Sequence, residues 1–157
     1  MHMFRIALAS LAALAIGAAP SATRADSAEE AAVKARNAHM ELYAYNLGVL
    51  GGMARGNVEY DADKARRAAD DLVALTRLDQ SGYWIPGTDS LAFEGSRLKP
   101  GFFDDPSDAA AKGKALADAA MEMQAAAAAG IDGVRGAMSA LGGACSSCHR
   151  AYREPEN

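Results

Sequence analysis

Cysteine and histidine are scarce in this chain: two cysteines and three histidines among 157 residues. Both cysteines, Cys145 and Cys148, lie in one short string, and beyond the extreme N-terminus the histidines are His39 and His149. A structural zinc ion needs four such ligands at usable spacing, and these are too few. A redox C-x-x-C pair normally accompanies a βαβ pattern, which is missing here. Positive charge is also short, 16 basic residues against 20 acidic ones, which argues against the basic footprint of a nucleic-acid binder. Long apolar runs are absent too. The longest, Ile6 to Ala19, has 14 residues, whereas a membrane-spanning helix needs roughly 20. No nucleophile–base signature and no phosphate loop stands out, so nothing indicates an enzyme.

The cysteines and a histidine that are present form one motif, Cys145-Ser146-Ser147-Cys148-His149. C-x-x-C-H is the attachment string of c-type haem. Its thiols become thioethers on the two haem vinyl groups, and the histidine is placed to bind iron from the proximal face. A covalent haem c, with His149 as axial ligand, is therefore the expected cofactor.

Residues 1–25 read as a secretory leader. Arg5 supplies the positive n-region, Ile6 to Ala19 the apolar run, and Thr23-Arg24-Ala25 a small-residue cleavage site. Cleavage leaves residues 26–157 as one domain with no membrane span. Without Arg5 and Arg24, 14 basic residues face 20 acidic ones, a net charge of −6. Such a protein can meet a partner by electrostatic steering.

The remaining pattern is helical. Ser27 and Glu30 fit a capping box for a first helix running to about Ala54, with Val33, Met40, Leu47 and Leu50 on one stripe. Asp61 caps a second helix to about Gln80, with Ala65, Ala68, Leu72 and Leu75 inward and Arg66, Arg67, Asp70 and Asp71 solvated. Ser81 to Asp105 is rich in Gly and Pro and forms a long loop, which Trp84, Phe93, Phe102 and Phe103 weight toward packing on the core. Pro106 opens a third helix that Gly130 ends. A fourth follows from Ile131 to about Arg153, with Val134, Met138, Leu141 and Cys145 inward. Two short connections and one long one predict an all-α, antiparallel up-down four-helix bundle with a long loop between helices two and three.

Several strings resemble the class II cytochromes c, the cytochrome c′ family. Cys145-Ser-Ser-Cys-His-Arg-Ala-Tyr-Arg153 is similar to the family's C-x-x-C-H-x-x-Y-R ending. Ala35-Arg36-Asn37-Ala38-His39-Met40 resembles its first-helix motif, and Trp84-Ile85-Pro86-Gly87-Thr88 its long loop. Tyr60-Asp61-Ala62 and Gly51 to Gly56 add to the likeness, which covers essentially the whole mature chain. The resemblance implies a bacterial periplasmic haem protein, a homodimer built on the first two helices, and an unidentified redox partner protein. Gly48, Gly51 and Gly52 could permit close approach there or equally serve the haem pocket. Arg36 is then the arginine that pairs with a haem propionate, with Asn37 beside it. Thr88 and Asp89 lie near the haem edge and Arg153 near the proximal pocket. Each of the first four could equally be an ordinary polar surface residue, and Arg153 a cation favouring the helix C-terminus.

The resemblance places Met40 opposite the iron. In low-spin members a methionine sulfur there is the sixth ligand and the protein carries single electrons between Fe(III) and Fe(II). In five-coordinate members the residue only fills space, and iron stays open to nitric oxide or carbon monoxide. The expectation is Met40–His149 ligation and electron carriage, because Asn46 to Met53 looks more like the low-spin branch. The alternatives are Met40 as a core filler with gas binding at the iron, or His39 as sixth ligand. At about 1.5 Å per residue, Met40 stands roughly 18 Å from the shared end of the bundle and His149 roughly 6 Å, a mismatch that tilt and the span of a haem must absorb. Met121, Met123 and Met138 stand only slightly higher, so the resemblance alone prefers Met40.

Overall fold

The computed structural model describes residues 27–155. The expected leader, residues 1–25, lies outside them. Four helices carry the fold: α1 (Ala28–Ala54), α2 (Ala62–Thr76), α3 (Pro106–Ala128) and α4 (Ile131–Tyr152). Each helix packs on its chain neighbours, and α4 closes the ring on α1. The architecture is the expected antiparallel four-helix bundle.

Local chemistry sets the helix ends. The Ser27 hydroxyl accepts the Glu30 N–H at 3.1 Å, while the Glu30 carboxylate pairs with Lys34 rather than completing a capping box. Gly56, at φ +73°, turns the chain out of α1, a conformation that glycine adopts without a Cβ penalty. Asp61 and Asp105 accept backbone N–H groups at the starts of α2 and α3, each satisfying donors that the helix itself leaves open. Gly130, at φ +99°, separates α3 from α4.

One boundary differs from expectation. α2 ends at Thr76, four residues before Gln80. The Thr76 hydroxyl bonds back to the Val73 carbonyl at 2.8 Å, and the Asp79 carboxylate accepts the Ser81 N–H at 3.0 Å. These side-chain bonds offer the backbone an alternative to the helical ladder, and a 3₁₀ turn follows at Ser81–Tyr83.

The core runs the length of the bundle through Leu50, Met53, Leu72, Val73, Met123, Val134 and Leu141. Its small residues let helices approach closely: Ala65, Ala69 and Ala120 are wholly buried. Gly133 lies so near α3 that an added Cβ would sit 2.4 Å from the Ala126 carbonyl oxygen. Gly51 and Gly52 face Arg55 and Val58 of their own chain segment, and of the expected glycine face Gly48 alone meets open space.

The long loop is packed over one end of the bundle. Trp84 stacks on Phe102 at 4.7 Å, and Phe102 meets Tyr152 of α4 edge-on at 5.2 Å. An isolated bridge joins Leu98 to Arg153, with Lys99 N–H donating to the Tyr152 carbonyl at 2.9 Å and Glu154 N–H to the Arg97 carbonyl at 2.8 Å. The loop is thereby fixed to the end of α4 that carries the cysteine–histidine string.

Candidate haem site

Cys145 and Cys148 stand one turn apart on α4, both partly buried free thiols. Burial pushes both thiol pKa values up, with Lys112 opposing the rise at Cys148. His149 is partly buried beside them. Burial, followed by the charges of Arg153 and Arg97, pulls its pKa below the ordinary value, so the ring is neutral and keeps a lone pair for iron. A groove of about 420 Å³ opens beside it, lined among others by Arg97, Lys99, His149, Arg150 and Arg153.

These three side chains do not make a bare-ion site. Among the described residues no group of three His, Cys, Asp or Glu side chains is placed to hold a metal ion. Haem would resolve that shortfall: the ring would bring its own nitrogen ligands for iron, Cys145 and Cys148 would hold its vinyl groups, and His149 would bind the iron. The donor set on α4 therefore fits haem.

On α1, Arg36 is almost wholly buried, 4% exposed. Its terminal nitrogens donate to the Thr88 hydroxyl, the Thr88 carbonyl and the Ser96 hydroxyl, each at 3.0 Å, and to the Tyr83 carbonyl at 3.5 Å. Its plane lies 5.1 Å from the Trp84 ring centroid. Every partner is neutral, and burial lowers its pKa with no carboxylate to offset the loss. A buried cation lacking a counter-ion is costly, and a haem propionate is a group that could supply the missing charge.

Three residues further along α1, His39 is 5% exposed. Its Nδ1 is 2.6 Å from the Tyr83 hydroxyl, and its ring stacks on Tyr43 with centroids 4.7 Å apart. His39 Nε2 and the Tyr43 hydroxyl are buried without hydrogen-bond partners. Met40, one step round the helix, is partly buried and packs against the core.

The expected site residues thus divide. Cys145, Cys148 and His149 come together, Arg153 caps α4 with its N–H on the His149 carbonyl at 2.9 Å, and Arg36 meets Thr88. Asn37 is exposed on α1, and the Asp89 carboxylate caps its own turn at Leu91 and Ala92. Sequence reasoning did not anticipate Tyr43, Tyr83 and Ser96. The signal for Tyr43 was present: Arg36, His39, Tyr43, Asn46 and Leu50 follow helical spacing, but tracing apolar residues alone gave the stripe through Met40 and Leu47 instead.

Comparison with known proteins gives a consistent set. The family model described as Cytochrome C′ matches residues 31–153. A cytochrome c′ of Cereibacter sphaeroides is 38% identical over 151 residues, covering 96% of this chain and 98% of the relative. A cytochrome c-554 of the same organism is 38% identical over 127 residues, 81% of this chain and 83% of the relative. The solved structure of cytochrome c′ from Rhodobacter sphaeroides superposes with a TM-score of 0.80 at 36% identity, covering 84% of this chain and all of that one.

Proposed function

Because the chain belongs to the cytochrome c′ family, we propose that it is a periplasmic haem c protein whose iron is held by His149 and left open on the distal side to nitric oxide or carbon monoxide. The Cys145–Cys148–His149 arrangement on α4 carries this reading. The relative named cytochrome c′, matched over nearly the whole chain, supports the open site over the expected methionine ligation. Met40 then acts as a core filler, in keeping with its packing against the apolar cluster.

In this reading Cys145 and Cys148 would hold the haem as thioethers, each S–H and vinyl π bond being exchanged for a carbon–sulfur and a carbon–hydrogen bond. When bound, the haem supplies one-electron Fe(III)/Fe(II) chemistry and a site for a diatomic gas. Neutral His149 offers its lone pair from the proximal side. Arg36 holds Thr88 and Ser96 of the loop and presents its charge toward a propionate, while Arg153 lines the groove beside His149. The leader at residues 1–25 directs export. The described residues include no helix long and apolar enough to cross a membrane. Exposed Leu42 and Tyr45 on α1 and Leu78 in the turn after α2 support pairing of two copies there.

A second reading keeps Met40 as sixth ligand and makes the protein an electron carrier. It draws on the cytochrome c-554 relative, which matches at the same identity. Absorption spectra of the ferrous holoprotein separate the two. An open iron gives a high-spin spectrum that shifts on adding carbon monoxide. A low-spin spectrum that carbon monoxide leaves unmoved, and that Met40→Ala converts to the first kind, overturns the open-site reading.

A further inference from the structure

We propose that the Tyr43 hydroxyl is the hydrogen-bond donor to a diatomic ligand on the distal side of the haem iron, with its ring held in place by His39. The inference rests on the open-iron reading above and names a residue that selects among the gases.

The first observation is an unmet need. Tyr43 is 7% exposed and its hydroxyl has no partner. Buried hydroxyls in native proteins are nearly always bonded, and each exception calls for an explanation such as a bound group that it serves. The neighbouring groups do not meet the need. The Gln80 amide is close enough to lower the Tyr43 pKa as a hydrogen-bonding neighbour, but the two form no hydrogen bond of acceptable geometry, and its side-chain oxygen accepts the Trp84 indole N–H at 3.1 Å. Tyr83 is engaged with His39 Nδ1.

The second observation is position. Tyr43 lies one helical turn beyond Met40 on α1, the helix facing α4 across the proposed site. Along α4, Cys145 likewise stands one turn from His149, toward the middle of the bundle. Burial, and then the neighbouring Tyr83 and Cys145, push the Tyr43 hydroxyl up to about 12 despite Gln80. It therefore lies within electrostatic reach of the haem-bearing thiol and keeps its proton as a donor.

The third observation is rigidity. The His39 ring stacks on Tyr43 at an interplanar angle of 28°, and its Nδ1 is tied to Tyr83. The Leu75 carbonyl is near enough to influence the His39 pKa, yet Nε2 has no hydrogen bond to it. Tyr43 thus stands against a fixed plate, so a donor is positioned before any ligand arrives.

Vibrational spectroscopy of the ferrous carbon monoxide adduct tests this. A donor to the ligand oxygen lowers the C–O stretching frequency, so Tyr43→Phe should raise it. Carbon monoxide should also leave the variant about twofold to tenfold faster, the equivalent of one net hydrogen bond. The unmodified protein provides a second reading that needs no variant: its C–O or Fe–C stretch should shift in D₂O. A carbon monoxide adduct with no solvent-isotope shift, and with the same frequency and dissociation rate in Tyr43→Phe, overturns the inference while leaving the open iron standing. Failure to form the adduct at all overturns both.

Discussion

Replacing Arg36 of α1 by methionine should loosen the long loop. Methionine keeps an unbranched apolar stem beneath Trp84 and removes every donor. Three bonds at 3.0 Å disappear, to the Thr88 hydroxyl, the Thr88 carbonyl and the Ser96 hydroxyl. Bonds from a charged donor contribute about 1.5–3 kcal/mol each, so the gross loss is about 4.5–9 kcal/mol. Two effects reduce it. The buried guanidinium has no carboxylate partner, so its removal also relieves a desolvation cost. The three acceptors also retain contacts: the Ser96 hydroxyl donates to the Thr88 carbonyl, the Thr88 hydroxyl to the Ile85 carbonyl, and Leu98 N–H to Ser96, at 2.6, 2.6 and 3.2 Å. None of the three is orphaned. The net loss should be about 2–3 kcal/mol, within the usual range for disrupting a buried polar network. Thermal unfolding followed by circular dichroism should show a midpoint about 5–15 °C lower. Hydrogen exchange should localise the change to the amides of Ser90, Phe93 and Lys99, whose acceptors lie in the loop and at the end of α4. A midpoint within about 2 °C of the parent and unchanged exchange at these amides would refute the reasoning.

Glycine substitutions in α4 should split by position. Gly133→Ala drives a Cβ toward the Ala126 carbonyl and should lower stability by about 1–3 kcal/mol in denaturant titrations. Gly136→Ala meets open space and should instead raise it by about 0.5–1 kcal/mol; the same sign for both would contradict the close approach of α3 and α4. Alkaline stability should report Tyr43. The unfolded tyrosine releases its proton near pH 10 and the folded one near 12, so the stabilisation is present below pH 10 and is lost as pH rises through 12. The Tyr43 share is about 2–3 kcal/mol. Tyr152, also raised to about 12 by its bond to Asp108, acts in the same direction, so the check is the difference between parent and Tyr43→Phe. The variant should lose less stability over that interval, and parallel curves would exclude the effect.

The bundle was legible because its signals are local. Asp61 and Gly56 mark the turn between α1 and α2, Pro106 and Gly130 bound α3, and the alternation of short and long connections leaves few topologies. The grouping of Cys145, Cys148 and His149 was equally legible, since they are adjacent in sequence and one helix fixes their spacing. The end of α2 was misread because Thr76 and Asp79 redirect the backbone through side-chain bonds that apolar periodicity does not register. The polar cluster between α1 and the loop was harder for a different reason. Arg36, Thr88 and Ser96 are brought together across 52 and 60 residues, and no local pattern links them. His39 and Tyr43 are polar residues in a buried stripe, and burial of polar groups follows from the tertiary partners they find, here Tyr83 from the loop.

Electron paramagnetic resonance of the ferric holoprotein at neutral pH tests the central claim most directly, because it reads the number and strength of the iron's axial ligands. Iron held by His149 alone gives an axial high-spin signal, unchanged in Met40→Ala. A low-spin signal that Met40→Ala abolishes would contradict the account and place the methionine sulfur on the iron.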